Sequence, residues 1–460
     1  VSAPTVAIAT LGCRLNQVDS RDIATRLEQR GFCMVPLESP ADVVVVNSCT
    51  VTGRADVSNR QMIRRAARRR GARVVVTGCW AQTDPGAVAA LRNVDAVVGN
   101  ADKHRLPDIV AEVLATETRG GAGPRIVATD IGATTRFAPP PFPRPTFRAR
   151  AFLKVQDGCR HRCAFCIVPM ARGSSRSLAP SVVLDHARHL VSLGHAEIVL
   201  TGVDLGHYGA DLVPRTTLAA LLRGLVALPG LRWVRLSSVL PSYFTEELLD
   251  VVVGSAVVAP HLHVPLQSGS DRVLRAMRRP YNVAMYRRLV ERLAAARPGL
   301  GLGADVIAGF PGESEADFAE TLALVSALPF SYLHVFGYSD RRGTEAAVRP
   351  AHVDARTVAD RSAGLRALAA AKSETFRRAR VGEVREALVL ETRDRTTGAL
   401  VGLTDNYVEV TFEGPDELMR TITPLRITRA DGERTTGELA ALRARALPAP
   451  SVLGGASRGA

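Results

Sequence analysis

Gly158-Cys159-Arg160-His161-Arg162-Cys163-Ala164-Phe165-Cys166 is the stretch on which the reading of this chain turns. It follows directly on an apolar run at 151–155, which has the make-up of a buried strand. Its three thiols stand at C-x3-C-x2-C. In a reduced intracellular chain such thiols are metal ligands rather than disulfide partners. Most iron–sulfur sites close with four thiolates. Three predict a [4Fe-4S] cluster with one iron left open to a ligand bearing amino and carboxylate groups. A lone C-x2-C would leave a zinc knuckle or a dithiol as readings. Three buried structural thiols fit poorly, because Arg160, His161 and Arg162 lie between them and charged side chains are costly to bury.

Downstream of the loop, strand and helix patterns alternate. Strands are predicted near 151–156, 196–201, 231–236, 260–264, 303–308 and 331–336. Helices are predicted near 181–193, 217–227, 245–253, 270–294 (interrupted around Pro280) and 314–327. Six such units are too few for a closed eight-stranded barrel and suit a partial (β/α)6 barrel, whose chemistry sits at the carboxyl ends of the strands. Those ends supply candidate contacts for the ligand of the open iron: Thr201 and Gly202, Ser237, Gln267 and Ile307, with Phe165 beside Cys166. A cap on a following helix is the alternative for Thr201 and Ser237, and local packing for Phe165. Arg172 and Arg176, just past the loop, are plausible phosphate contacts; neutralising the cluster or binding an acidic side chain are the alternatives.

Upstream, short β-branched runs at 5–9, 42–46, 72–76 and 94–98 alternate with helical patterns, which reads as an open parallel sheet. Cys13, Cys49 and Cys79 each fall shortly beyond the end of one of these runs. In an open α/β sheet the carboxyl ends face one edge, where ligands bind, so the three thiols should converge and hold a second [4Fe-4S] cluster. A zinc ion would need a fourth ligand, for which His104 is the nearest candidate. Cys33, after a helix, reads as a buried apolar cysteine. The helix at about 54–70 places Arg60, Arg64 and Arg68 along one side, as a solvated face or a phosphate contact.

Gly120, Gly121 and Gly123, then Pro139, Pro140, Pro141, Pro143 and Pro145, mark residues 119–147 as a spacer. The domains are therefore read as 1–118, 148–375 and 376–446, with 447–460 as a disordered tail. The last domain shows short strand patterns separated by turns, a small all-β module. Its single exposed-type aromatic, Tyr407, makes base stacking a weak case beside shape and charge contacts.

The chain has 460 residues, 46% of them hydrophobic, enough for several cores. It has no apolar span of about 18 residues and no secretory pattern at its start, which predicts a cytoplasmic protein with no membrane partner. The formal net charge of +14 suggests a polyanionic partner, most simply nucleic acid. Its seven cysteines, an odd number spread widely, argue for metal ligation rather than a disulfide framework.

With Leu11-Gly12-Cys13-Arg14-Leu15-Asn16, Asn47-Ser48-Cys49-Thr50-Val51-Thr52, Gly78-Cys79, the Cys159 loop, and the stretches 263–269, 305–313 and 336–344, the chain resembles the methylthiotransferase family of radical S-adenosylmethionine (SAM) enzymes. The resemblance covers about residues 3–445. It implies a cluster-binding N-terminal domain, a radical SAM domain and a C-terminal RNA-binding TRAM domain. The Asn47 stretch with Arg54-Ala55-Asp56, and Pro169-Met170-Ala171-Arg172-Gly173, look most like the branch acting on N6-threonylcarbamoyladenosine 37 beside the tRNA anticodon. Ser48, Met170 and Ala304 depart from that branch, where Thr, Tyr and Thr or Ser are usual. Relatives acting on N6-isopentenyladenosine 37, or on an aspartate of a ribosomal protein, are the alternatives; a non-catalytic iron–sulfur RNA-binding sensor is a further one.

The adenine C2–H bond is unactivated, and no side-chain acid or base removes that hydrogen, so a radical cofactor is required. The resemblance assigns radical generation from SAM to Cys159, Cys163 and Cys166, and sulfur delivery to Cys13, Cys49 and Cys79. It makes the contacts at Phe165, Thr201, Gly202, Ser237, Gln267 and Ile307 contacts to SAM. It also implies an electron donor such as flavodoxin or ferredoxin, and the tRNA anticodon arm as substrate.

Overall fold

A computed structural model describes residues 3–69, 71–116, 123–135, 137–142 and 148–440. The tail assigned to 447–460, Arg70, and parts of the spacer lie outside the described residues. The first body is a six-stranded parallel sheet built from β1 (Thr5–Thr10), β2 (Cys33–Met34), β3 (Val43–Ser48), β4 (Arg73–Gly78), β5 (Ala96–Val98) and β6 (Arg125–Val127), in the order β2-β1-β3-β4-β5-β6. Its connecting helices are α1 (Arg14–Gln29), α2 (Gly53–Ala67), α3 (Cys79–Thr83), α4 (Pro85–Ala89) and α5 (Leu106–Ala115). Because side chains alternate across a strand, Val43, Val45 and Val75 pack on Ile23, Leu27 and Ile109, whereas Val44, Val46, Val74 and Val76 pack on Ile63 and Trp80. β3 is thus buried on both faces, as an interior parallel strand must be.

Two elements differ from expectation. β6 arises inside the stretch read as spacer and pairs with β5, Val97 opposite Ile126. Cys33 is exposed on the edge strand β2 rather than buried; a two-residue strand at a sheet edge has no second layer to cover it.

The central body carries β7 (Arg150–Lys154), the short hairpin β8 (Gln156–Asp157) and β9 (Arg176–Ser177), then β10 (Glu197–Thr201), β11 (Trp233–Leu236), β12 (His261–His263), β13 (Gly301–Ala308) and β14 (Tyr332–Gly337). β11-β10-β7 and β12-β13-β14 are two parallel sheets, joined by a bridge between Val234 and Val258. The result is an arc of six strands. Helices α6 (Val168–Arg172), α7 (Pro180–Ser192), α8 (Leu218–Val226), α9 (Glu246–Gly254), α10 (Asp271–Ala276), α11 (Val283–Ala296) and α12 (Glu315–Ala327) connect it. The break between α10 and α11 falls at Pro280, as the missing N–H and the restriction on the preceding residue require. A further helix, α13 (Ala355–Arg378), packs against β14 and leads out of the arc.

β15 (Val384–Arg393), β16 (Leu400–Thr404), β17 (Glu409–Phe412), β18 (Ile422–Asp431) and β19 (Arg434–Leu439) close into a barrel, β15-β16-β17-β19-β18, around Val389, Leu400, Val410 and Ile427. Tyr407 is not a free aromatic. Its ring stacks on His261 at 4.1 Å and its hydroxyl accepts from Arg14 Nη2 at 2.7 Å, so it seals the barrel against the arc and the first sheet. Glu197, fully buried, takes Arg150 Nε at 2.7 Å and Arg235 Nη2 at 2.9 Å, and Arg235 Nη1 reaches Asp405 O in the barrel at 2.9 Å. Among the described residues no helix is long and apolar enough to cross a membrane.

Candidate active site

β1, β3 and β4 are neighbours in the sheet, so the loops leaving their carboxyl ends lie side by side. Cys13 is the N-cap residue of α1, Cys49 follows β3, and Cys79 opens α3. The loops are pressed together. Gly12 has φ +91°, and a β-carbon there would stand 2.5 Å from Cys49 Cβ and 2.6 Å from its Sγ, so only glycine lets the chain pass. Buried Asn16 ties the loops in register, donating to Leu11 O at 2.8 Å and Ser48 O at 2.9 Å, with its Oδ1 4.0 Å from Cys79 Sγ. Asn100 Nδ2 lies 3.6 Å from the same sulfur. Burial pushes the Cys49 thiol up to about 11, and Cys79 and Cys13 add to the effect.

The second triplet sits on the loop between β8 and β9. Gly158, at φ +74°, makes the entry turn, Cys159 N donates to Gly173 O at 2.9 Å, and Cys166 N to Cys163 O at 3.0 Å. Ala164 N donates to Met277 O at 3.1 Å and its carbonyl accepts from Ala346 N at 2.8 Å, anchoring the loop to the far side of the arc. Burial pushes Cys166 up to about 11, with Cys163 adding; burial and then Asp204 raise Cys159. Thiols held this way shed their protons to a metal rather than to water.

The donor sets fit polynuclear iron better than a single ion. Among the described residues, the one group of three or more His, Cys, Asp or Glu ligand atoms within 4.8 Å of each other is His263, Asp305 and His334. Neither cysteine triplet closes to the separation one tetrahedral ion would demand, whereas a cubane cluster takes its thiolates on separate irons. His104 is exposed and does not join Cys13, Cys49 and Cys79.

The loop after Cys49 and the loop holding Cys166 border one cavity of about 230 Å³, with Cys166 itself in the wall. Phe165, Cys166, Ile167 and Val168 form one wall, Val51 and Thr52 of the Cys49 loop another, and Gln267, Asp305, Ile307 and Phe336 the floor. Gln267 holds φ +70°, a conformation costing about 1–3 kcal/mol in a non-glycine residue; Gln267 N donates to Asp305 O at 2.8 Å and its carbonyl accepts from Ile307 N at 2.9 Å. The two bodies are latched at the rim: Arg341 Nη1 donates to Thr50 O at 3.2 Å and Asp56 Oδ2 at 2.9 Å, and Gly53 N to Ser339 Oγ at 3.1 Å. Phe165, Gln267 and Ile307 are therefore brought together. Thr201, Gly202 and Ser237 are not in this cavity. The Thr201 hydroxyl donates to Leu153 O at 3.1 Å, Gly202 is pressed against Gln156, and Ser237 Oγ is buried without a partner.

Arg172 and Arg176 are not phosphate contacts. Both are buried. Arg172 donates to Asp157 Oδ1 at 3.0 Å, Asp19 Oδ2 at 2.9 Å and Asn16 Oδ1 at 2.7 Å; Arg176 donates to Thr134 O and Arg172 O. Asp19, only 3% exposed, also takes Lys103 Nζ at 2.7 Å and Lys154 Nζ at 2.5 Å. This ionic knot joins the first sheet to the arc directly behind Cys79. Charged atoms need partners when they leave water, and here each body supplies them to the other. Arg60 and Arg64 on α2, and Arg68 at its C-cap, are exposed, and Arg60 lies over the Trp80 ring at 5.0 Å.

His263 and Asp305 lie in the strand-end stretches 263–269 and 305–313 marked in the sequence, but nothing there pairs them with each other or with His334. Asp305 Oδ1 lies 3.0 Å from His263 Nε2 and 3.2 Å from His334 Nδ1. Burial opposes its charge, but these two imidazoles outweigh it and hold the carboxyl well below the usual range. His263 Nδ1 and His261 Nε2 both meet Tyr332 OH, at 3.0 and 2.8 Å, while His261 Nδ1 is buried without a partner. An unpaired buried N–H costs more than an unpaired lone pair, which puts the His261 proton on Nε2. Tyr332 then donates to His263 Nδ1, and His263 donates from Nε2 to Asp305. The group is a hydrogen-bond chain running from His261 through Tyr332 and His263 to Asp305 at the cavity floor.

Residues 5–99 match the family described as Uncharacterized protein family UPF0004, and residues 153–325 match the radical SAM superfamily. The chain is 37% identical over 429 residues to threonylcarbamoyladenosine tRNA methylthiotransferase MtaB of Bacillus subtilis (strain 168), covering 93% of this chain and 94% of that protein. It is 38% identical to the MtaB of Aquifex aeolicus (strain VF5), over 90% of this chain and 98% of that one. It is also 39% identical to a tRNA-2-methylthio-N(6)-dimethylallyladenosine synthase of Frankia casuarinae, over 85% and 72%. In fold it is similar to the radical S-adenosylmethionine methyltransferase TsrM of Kitasatospora setae, with a TM-score of 0.56 at 18% identity, covering 73% of each chain. With two cysteine loops facing one cavity and relatives matched over nearly their whole length, the chain belongs to the radical SAM superfamily, in its tRNA methylthiotransferase branch.

Proposed function

We propose that this protein converts N6-threonylcarbamoyladenosine 37 of tRNA to its 2-methylthio derivative, using SAM and two [4Fe-4S] clusters. The observation that carries the reading is the single cavity shared by the Cys49 loop and the Cys166 loop. A transfer from one centre to a carbon activated by another needs both within contact of the same atom. Cys159, Cys163 and Cys166 would hold the cluster that binds SAM, and Cys13, Cys49 and Cys79 the second. When bound, these groups supply radical chemistry and sulfur, which no side chain can.

The chain's own residues bind, orient and exclude. Phe165, Ile307 and Phe336 offer apolar walls to a flat purine. Asp305, whose Oδ1 already serves both imidazoles, keeps Oδ2 for an N–H or O–H donor. Arg341 holds the Cys49 loop against the arc. Residues 1–118 are read as the auxiliary-cluster domain, 148–375 as a partial (β/α)6 radical SAM barrel, and 376–446 as a TRAM domain. That domain, together with the exposed row Arg60, Arg64 and Arg68, would hold the anticodon arm by its phosphates. The base must leave its stack to reach the cavity. A flavodoxin- or ferredoxin-type donor would supply the electron.

The test is mass spectrometry of tRNA nucleosides from a strain lacking the gene. Loss of 2-methylthio-N6-threonylcarbamoyladenosine, restored by this chain and not by its Cys49→Ala variant, is the expected result. Loss of the isopentenyl derivative instead would move the chain to the other tRNA branch, and an unchanged nucleoside profile would refute the reading.

A further inference from the structure

One guanidinium stands against a thiol of the Cys159 loop. Arg279 Nη1 donates to Cys163 Sγ at 3.1 Å, its Nε donates to Tyr281 OH at 2.9 Å, and the guanidinium lies over the Tyr281 ring at 5.0 Å. The Tyr281 hydroxyl is itself fixed on Pro265 O at 2.9 Å and Leu266 O at 3.0 Å, immediately before Gln267. The arginine is thus clamped in place rather than swinging from the surface. Its Nη2 is buried and has no partner. Leaving a buried donor unsatisfied is costly, and more so when it is charged. A guanidinium keeps its proton throughout the working pH range, so Arg279 is a permanent cation.

We propose that Arg279 is a positioning residue that sets the reduction potential of the centre held by Cys159, Cys163 and Cys166, by a charge-assisted N–H···S hydrogen bond to Cys163. The proposal rests on the reading that these three cysteines hold a [4Fe-4S] cluster. Net charge and hydrogen bonds to the sulfurs are what tune such potentials. Uptake of one electron adds one negative charge in a partly buried site, and a fixed cation at the sulfur favours that state. The electron comes from a soluble low-potential one-electron donor, dithionite in the assay. Arg172 and Arg176 lie nearer in sequence, but both are committed elsewhere: Arg172 to Asp157, Asp19 and Asn16, Arg176 to backbone carbonyls.

The experiment uses full-length chain carrying Cys13→Ala, Cys49→Ala and Cys79→Ala, reconstituted anaerobically, with potentiometric titration followed by electron paramagnetic resonance of the reduced cluster. Arg279→Gln should shift the reduction equilibrium about tenfold toward the oxidised state, a midpoint about 59 mV lower for one electron. Arg279→Lys, which keeps the charge and loses the fork, should fall between. Iron content separates the two levels of the argument. About four irons in the parent chain support the cluster reading, and none would overturn that reading and the proposal with it. With the cluster present, an unchanged midpoint in Arg279→Gln, or in Arg279→Lys where the glutamine variant takes up no iron, overturns the assignment to Arg279 alone.

Discussion

Asp19→Asn should uncouple the first sheet from the arc. The carboxylate receives three cations at 2.5–2.9 Å, and its side chain is 3% exposed. Lys103 comes from the first body, and Lys154 and Arg172 from the second. An amide of the same shape keeps the packing and removes the charge, leaving three buried cations without their common anion. Breaking a buried pair from one side costs about 3–5 kcal/mol. At a urea dependence of about 3 kcal/mol per molar, that is a midpoint lower by about 1 to 1.7 M. Trp80 lies in the first body and Trp233 in the arc, both buried, so Trp80→Phe and Trp233→Phe backgrounds report each body separately. Both transitions should fall, and the Trp80 signal should separate from the other. A midpoint shift below about 0.3 M in both backgrounds would refute the reasoning, because the knot would then be no more than a solvated surface cluster.

Glu197 gives a pH dependence. Burial opposes its charge, Arg235 and Arg150 outweigh it, and the group is carried from 4.5 to about 2. This contributes about 3 kcal/mol, present above pH 4.5 and lost as pH falls through about 2, with about 2 kcal/mol gone by pH 3; the urea midpoint difference between the wild type and Glu197→Gln should shrink over that range, and a constant difference would contradict it. Arg341→Ala frees the Cys49 loop without touching the Cys159 loop. Methylthiolation should fall about tenfold to a hundredfold while 5′-deoxyadenosine formation persists, read by chromatography of the same reaction; equal loss of both would show that Arg341 does not act at the seam. Reconstituted wild type should hold about eight irons and the Cys13, Cys49 and Cys79 triple-alanine chain about four, by elemental analysis.

Periodic features were legible because they are local. The valines of 43–46 announce a strand buried on both faces, and Pro280 announces the break between α10 and α11. The positions of Cys13, Cys49 and Cys79 just past strand ends follow from parallel connectivity alone. What could not be read was which charge meets which. Arg172 and Arg176 look like surface cations until Asp19, over 150 residues earlier, arrives beside Arg172. Tyr407 looks exposed until His261 stacks on it, and Arg279 sits in an unremarkable Arg-Arg-Pro run whose partner is Cys163. Such pairings are set by how three bodies dock, and docking leaves no periodic trace. The strand β6 was missed for a related reason: three residues in a Gly- and Pro-rich stretch become a strand only because β5 offers them an edge.

The two thiol sets differ in when they can exist during synthesis. Cys159, Cys163 and Cys166 lie within eight consecutive residues, so a nascent loop already holds them near one another, and closing it costs little entropy. Cys13, Cys49 and Cys79 come from three separate strands and meet only when β1, β3 and β4 have paired. On the proposed two-cluster reading, iron delivered early would be captured by the first set and would find nothing to close upon at the second. Maturation would then be ordered by topology: the local centre could be charged on an unfinished protein, and the other would wait for the completed sheet.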